Sequence, residues 1–204
     1  MFDADALRLV AITDSLRDGI DGLAERAAAA ARGGATMLQL RLPDESARTL
    51  ADAVRALRRA APDVPLVVVE RADVALAAEA DGVHVGSDGI SPAALRRVVP
   101  PQFIIGISVG ADDDVARIGG ANYVGIGPVF SSATGDALGV ARFAELARHC
   151  GMPALAIGGV TPAHASAVRA AGASGIAVIS ALFGASDPTL AARAFRSALD
   201  ASGS

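Results

Sequence analysis

Eight short apolar segments, most of them rich in β-branched residues, alternate along the 204-residue chain with longer alanine-rich segments of helical spacing. The strand candidates are LRLVAIT at 7–13, TMLQLR at 36–41, PLVVVE at 65–70, GVHVG at 82–86, FIIGIS at 103–108, YVGIG at 123–127, PALAIG at 153–158 and GIAVIS at 175–180. Near-continuous apolar runs suit strands covered on both faces, and strict alternation with helices calls for parallel strands joined by crossovers. The intervening segments carry apolar stripes such as Leu23, Ala27, Ala30 and Ala31, or Leu50, Val54 and Leu57, with charges on the other side. Ser91-Pro92 and Thr161-Pro162 have the cap-then-proline order of a helix start. Eight rounds in a chain of this length predict a single-domain (β/α)8 TIM barrel over residues 1–204 rather than an open doubly wound sheet.

That architecture says where chemistry belongs. Ligands of such barrels sit at the C-terminal ends of the strands, so the residues just after each apolar run form a shortlist: Asp14, Gln39, Arg41, Glu70, Ser87, Asp88, Ser108, residues 128–136, Gly158, Gly159 and Ser180. In the stretch AIGGVTPAHASAVRAAGASGIAVIS, Gly158 and Gly159 precede a helix-like segment. They read either as a tight turn or as an anion site made of close backbone N–H groups. The loops after strands seven and eight often hold phosphate in this fold, which favours the anion reading.

Arg41 can grip a phosphate through paired charge-assisted hydrogen bonds, or it can pair with Asp44 or Glu45 at the surface. Gln39, two residues earlier on the same strand, shares its face. Glu70 can serve as an oxygen ligand for a metal or as a base, or it can cap a helix or pair with Arg71. The loop GPVFSSATGDALG at 127–139 offers the hydroxyls of Ser131, Ser132 and Thr134 to a ligand, with Gly135 and Gly139 permitting movement. The alternative is an ordinary surface turn.

Composition excludes several function classes. With 18 basic against 22 acidic residues the chain lacks the electrostatic footprint of a nucleic-acid or anionic-membrane binder, and a small ligand is expected instead. No two histidines have metal-ligand spacing; His84 reads as a buried, hydrogen-bonded strand residue, while His149 and His164 fall on helices away from the mouth. The lone Cys150 reads as a buried, inert thiol. No apolar run is long enough to span a bilayer and the opening MFDADALRLV has no basic leader region, so a cytoplasmic protein is expected.

The motifs AITD, GATMLQLR, ERADVALAAEADGVHVG, GISVG, YVGIGPVF, AIGGVTP and GIAVIS occur in one order and spacing over nearly the whole chain. Together they resemble the thiamine-phosphate synthase and TenI-type thiazole tautomerase superfamily. The resemblance implies a (β/α)8 barrel, a homo-oligomer and a role in thiamin biosynthesis. Synthases of the family join a pyrimidine diphosphate to a thiazole phosphate and release pyrophosphate with Mg²⁺ assistance; the tautomerases move protons on a thiazole phosphate carboxylate. By the same resemblance, Gly158, Gly159, Ile179, Ser180, Ser132 and Thr134 match the thiazole-phosphate side. Gln39, Arg41 and Ser108 match the diphosphate side, and Glu70 with Asp88 matches the metal side.

The chain departs from the pattern at five positions. Pro43 and Gly135 replace lysines, Val69 replaces an asparagine, Gly89 stands at the second metal aspartate with Asp88 one position early, and Gly110 replaces the tautomerase histidine. The resemblance therefore leaves three readings. One is a synthase-like transferase with an incomplete diphosphate and Mg²⁺ half. The second is a tautomerase with Glu70 as base, and the third is a silent protein that binds thiazole phosphate.

Overall fold

The computed structural model describes residues 2–131 and 137–201. Its strands are β1 (Leu9–Ile12), β2 (Met37–Leu40), β3 (Leu66–Val69), β4 (Gly82–Val85), β5 (Ile104–Val109), β6 (Tyr123–Ile126), β7 (Ala154–Ile157) and β8 (Gly175–Val178). All pair in parallel in chain order, and β8 returns to β1 to close the barrel. The helices are α1 (Gly19–Arg32), α2 (Ala47–Ala60), α3 (Ala72–Ala77), α4 (Pro92–Leu95), α5 (Gly139–Cys150), α6 (Ala165–Ala170), α7 (Ser180–Phe183) and α8 (Pro188–Ala201). The expected (β/α)8 barrel is thus the observed one, and no described helix is long and apolar enough to cross a membrane.

Local sequence explains the element ends. Ser46 and Ser91 accept the N–H groups of Thr49 and Ala94 at the starts of α2 and α4, satisfying donors a helix cannot satisfy itself. Gly151 ends α5 in the left-handed conformation, at φ 60°. The expected first strand is shorter than read from sequence. Asp3 accepts the Asp5 N–H, and Ala4–Leu7 winds into a 3-10 turn that carries Leu7 beneath the barrel.

Two cores result from the alternation of strand side chains. Outward residues such as Leu38, Leu40, Ile105, Ile107 and Val124 pack under the helices. Inward residues Val10, Ile12, Met37, Val67, Tyr123, Leu155 and Ala177 fill the barrel, with Phe2 stacked on Tyr123 at a ring separation of 6.0 Å. Toward the C-terminal end the filling turns polar, with buried Gln39 and His84. These large groups fit because β5 contributes no side chain at Gly106, where a Cβ would stand 2.2 Å from Tyr123 Cζ and 2.5 Å from His84 Nδ1.

A Gly106→Ala substitution should therefore destabilise the barrel by about 2 kcal/mol or more, since the ring atoms it meets are buried and cannot swing away. Gly119→Ala, with nothing within 4 Å of the added carbon, should stay within about 0.5 kcal/mol of the parent. Urea unfolding midpoints at unchanged slope measure both, and equal midpoints would contradict the packing account.

Candidate active site

A pocket of about 550 Å³ opens at the C-terminal ends of the strands. It gathers Gln39, Arg41, Ser108, Gly158, Gly159 and Ser180 from the shortlist into one lining, together with Ile179, which the family resemblance singled out. Ser132 and Thr134, with Gly135, lie outside the described residues.

One wall is backbone. Gly158 and Gly159 both take positive φ, at 90° and 63°, which is the region glycine enters without penalty. Each is also pressed against the loop after β6, since a Cβ would lie 2.5 Å from Pro128 Cβ or 2.6 Å from the Ser131 carbonyl oxygen. The turn is held there by the Phe130 N–H, which donates to the Gly158 carbonyl at 3.0 Å, and the Val129 N–H, which donates to Ile157 at 2.8 Å. Among the described residues the N–H groups of Gly159, Val160 and Ala181 take no partner, although all three residues line the pocket. Free amide donors beside a strand-to-helix turn are the chemistry of an anion cradle.

A second wall carries charge. Arg41 makes no ion pair among the described residues, so the surface pairing with Asp44 or Glu45 does not form. Its backbone is pinned by buried Thr13, whose Oγ1 accepts the Arg41 N–H at 2.8 Å and donates to the Arg41 carbonyl at 3.2 Å. The exposed guanidinium is thus anchored at its base and unsatisfied at its tip.

Between the walls, a buried chain of polar side chains forms the floor. Gln39 Nε2 donates to Tyr123 Oη at 3.0 Å, His84 Nδ1 lies 3.1 Å from the same oxygen, and His84 Nε2 lies 3.0 Å from Ser108 Oγ. Burial disfavours the imidazolium and pushes the His84 pKa down to about 4, and burial also raises that of Tyr123 against the opposing pull of the Gln39 hydrogen bond. His84 is hydrogen-bonded as expected, but it lines the pocket as well.

Glu70 and Asp88 meet at the rim, outside the pocket lining. Glu70 Oε1 accepts the Gly86 N–H at 2.5 Å, and a Cβ on Gly86 would stand 2.9 Å from that oxygen and 3.2 Å from Asp88 Oδ1. Both carboxylates therefore lie beside Gly86, and neither has a basic partner among the described residues. Glu70 sits there at φ 65°, a conformation that strains a non-glycine residue and that the surroundings must enforce. No group of three or more His, Cys, Asp or Glu suited to a metal occurs among the described residues.

His164 differs from its expected place: its ring stacks on Phe130 at 3.7 Å and 12°, beside the glycine turn rather than away from the mouth. Gly110, at the tautomerase histidine position, uses its N–H to bond Asp114 Oδ2 at 2.7 Å. Val69 lines the pocket, and Pro43 is exposed outside it.

A family model described as thiamine monophosphate synthase matches residues 9–182. The chain belongs to the thiamine monophosphate synthase family. A thiamine-phosphate synthase of Azorhizobium caulinodans is 41% identical over 204 residues, covering 96% of both chains. One of Roseiflexus castenholzii is 44% identical over 192 residues, covering 90% of this chain and 84% of its own. Among solved structures, the thiamine phosphate pyrophosphorylase of Pyrococcus furiosus superposes with a TM-score of 0.88 at 31% identity, covering 98% of this chain and 99% of its own. A 3-hexulose-6-phosphate synthase, at 23% identity and TM-score 0.75, shares the fold. The match to the family model takes in the segments that build both walls of the pocket, 36–41 and 153–180.

In this member of the thiamine monophosphate synthase family, burial of neutral His84 ties stability to pH. The unfolded ring, with a pKa of about 6.5, takes up protons that the folded ring refuses until about 4, so its contribution is whole above pH 6.5 and is lost as pH falls toward 4. The loss should reach about 3 kcal/mol. Urea unfolding at pH 7 and pH 4 should show this extra loss in the parent and not in His84→Gln; equal losses of stability in the two chains would contradict it.

Proposed function

We propose that this chain is a thiamine-phosphate synthase, which joins a pyrimidine diphosphate to a thiazole phosphate and releases pyrophosphate. The observation that carries the reading is a single pocket with two unlike anion-holding walls. Free amides of Gly159, Val160 and Ala181 suit a monophosphate, and the Arg41 guanidinium and the Ser108 hydroxyl stand elsewhere in the same lining. The 41% identity to the Azorhizobium caulinodans enzyme over 96% of both chains supports the same activity.

In this reading the cradle formed by Gly158, Gly159, Ile179 and Ser180 fixes the thiazole phosphate. Gln39 and Ser108 meet the pyrimidine diphosphate beside Arg41. Transfer breaks the bond between the pyrimidine portion and its diphosphate, the electron pair leaving with the diphosphate, and a lone pair of the thiazole forms the new bond to the electron-poor carbon left behind. Arg41 and Ser108 supply positive charge and a hydrogen-bond donor where that negative charge grows. The hydroxyls of Ser132 and Thr134 complete the thiazole-phosphate side.

Glu70 and Asp88 fit a Mg²⁺ ion. They are hard oxygen donors, mutually repelling and unneutralised, and Mg²⁺ commonly takes one or two carboxylates with water and substrate phosphates completing its shell. When bound, the ion would neutralise diphosphate charge, a task that the replacement of two family lysines by Pro43 and Gly135 makes heavier. The tautomerase reading is weaker, because Glu70, its proposed base, lies outside the pocket lining and is occupied by the Gly86 N–H. The same proposal takes residues 1–204 as one domain of a cytoplasmic homo-oligomer.

Both substrates with Mg²⁺ should yield thiamine phosphate, detected by chromatography of the product; no product above background would remove the proposal. Arg41→Ala should lower kcat by about 100-fold, the effect of losing one donor to developing charge. Glu70→Gln should raise the Mg²⁺ concentration needed for half-maximal rate by about tenfold, the effect of weakening the ion's hold by roughly 1.4 kcal/mol.

A further inference from the structure

We propose that Gln39, Tyr123 and His84 are positioning residues that fix the polarity of Ser108, so that its hydroxyl faces the pocket as a hydrogen-bond donor. The inference rests on the synthase reading for its catalytic meaning, but its geometry stands on the fold alone.

The four residues come from β2, β6, β4 and β5 and form one unbranched line across the barrel interior. Each member has few protons to give, and that scarcity settles the direction of every bond. The Gln39 amide nitrogen can only donate, so Tyr123 Oη accepts from it. The phenol proton then needs an acceptor, and among the described residues His84 Nδ1, at 3.1 Å, is the remaining neighbour of that oxygen. Tyr123 therefore donates to Nδ1.

A neutral imidazole carries one N–H, so the proton resides on Nε2 and points at Ser108 Oγ, 3.0 Å away. The imidazole stays neutral because the barrel interior disfavours its charge. Ser108 accepts that bond, and its own hydrogen turns to the pocket that it lines. No proton travels along the line; it acts as a set of locked orientations.

The direction matters because a serine hydroxyl is by itself ambivalent. Against an anionic oxygen it helps only as a donor. Free rotation would divide its time between useful and useless orientations, whereas a histidine donating into Oγ removes the option of pointing back. Reversing Gln39, so that its carbonyl faced Tyr123, would reverse every bond: Ser108 would donate its hydrogen to His84 Nε2 and offer the pocket only lone pairs. The polarity of a residue on β5 is thus decided by an amide on β2.

The test uses the full chain labelled with ¹⁵N-histidine. Long-range ¹H–¹⁵N correlation spectra at neutral pH should show a neutral His84 ring protonated at Nε2; a ring protonated at Nδ1, or a charged ring, overturns the proposal. Calorimetric titration with inorganic pyrophosphate adds a readout that needs no turnover. Ser108→Ala and Tyr123→Phe should each weaken binding by about tenfold, in the range of one hydrogen bond to a charged group. The double variant should be no weaker than either single one, and additive losses overturn the coupling. In the synthase assay Tyr123→Phe should lower kcat while leaving KM for the thiazole phosphate unchanged, a split that general loosening of the barrel would not produce. A parent chain that formed no thiamine phosphate would remove the synthase reading and leave the spectroscopic and pyrophosphate results to decide this one.

Discussion

Closing eight strands on themselves creates an interior that must be filled, and the filling of this barrel hinges on the close approach of Tyr123 and His84 over Gly106. Below that level the interior is apolar and closed by Phe2 and Leu7. Above it polar side chains enter the interior among apolar lining residues such as Ile12 and Ile157. Buried polar atoms without partners would be expensive, so the upper layer exists only as a connected line from Gln39 to Ser108. The same missing side chain on β5 admits the rings and lets their hydrogen bonds close. Stability and site geometry meet at one position.

The two walls of the pocket are built from different materials. The wall after β7 and β8 presents backbone amides at a glycine turn, whose geometry is set by packing against the loop after β6. Such donors are short, stiff and uncharged, suited to a group that stays in place. The Arg41 side uses a long cation anchored at its backbone by Thr13, together with a pair of carboxylates at the rim. Those groups are side chains, able to adjust where backbone amides cannot.

Eight strands were legible because burial on both faces leaves an unmistakable apolar run in the chain, and strand ends then gave Gln39, Arg41, Gly158, Gly159 and Ser180 as pocket residues. The rest depended on register. His84 looked like a core residue and is one, but its place in the lining follows from β4 lying beside β5, with His84 opposite Gly106. Thr13 carried no signal because its partner is the backbone of the neighbouring strand, 28 residues away. His164 was read as distant from the mouth, yet it follows the glycine turn so closely that a single turn of 3-10 helix brings its ring over Phe130. The neighbour pattern of Gly82 and His84 with Gly106 and Gly125, small residues opposite a large polar one, was the available hint of an inward-facing line.

Thr13 also has a consequence for scale. It belongs to the end of β1, and β1 is the one strand that separates β8, which carries the Ile179–Ser180 wall, from β2, which carries Arg41. Neighbouring strands are about 4.8 Å apart, so the two walls are spaced by roughly 10 Å of hydrogen-bonded backbone. By tying itself to both the N–H and the carbonyl of Arg41, Thr13 extends that spacing past the last ladder bond. The barrel seam is in effect a ruler. The spacing across the lining is set by strand widths first, and by the Thr13 side chain only beyond the last ladder bond.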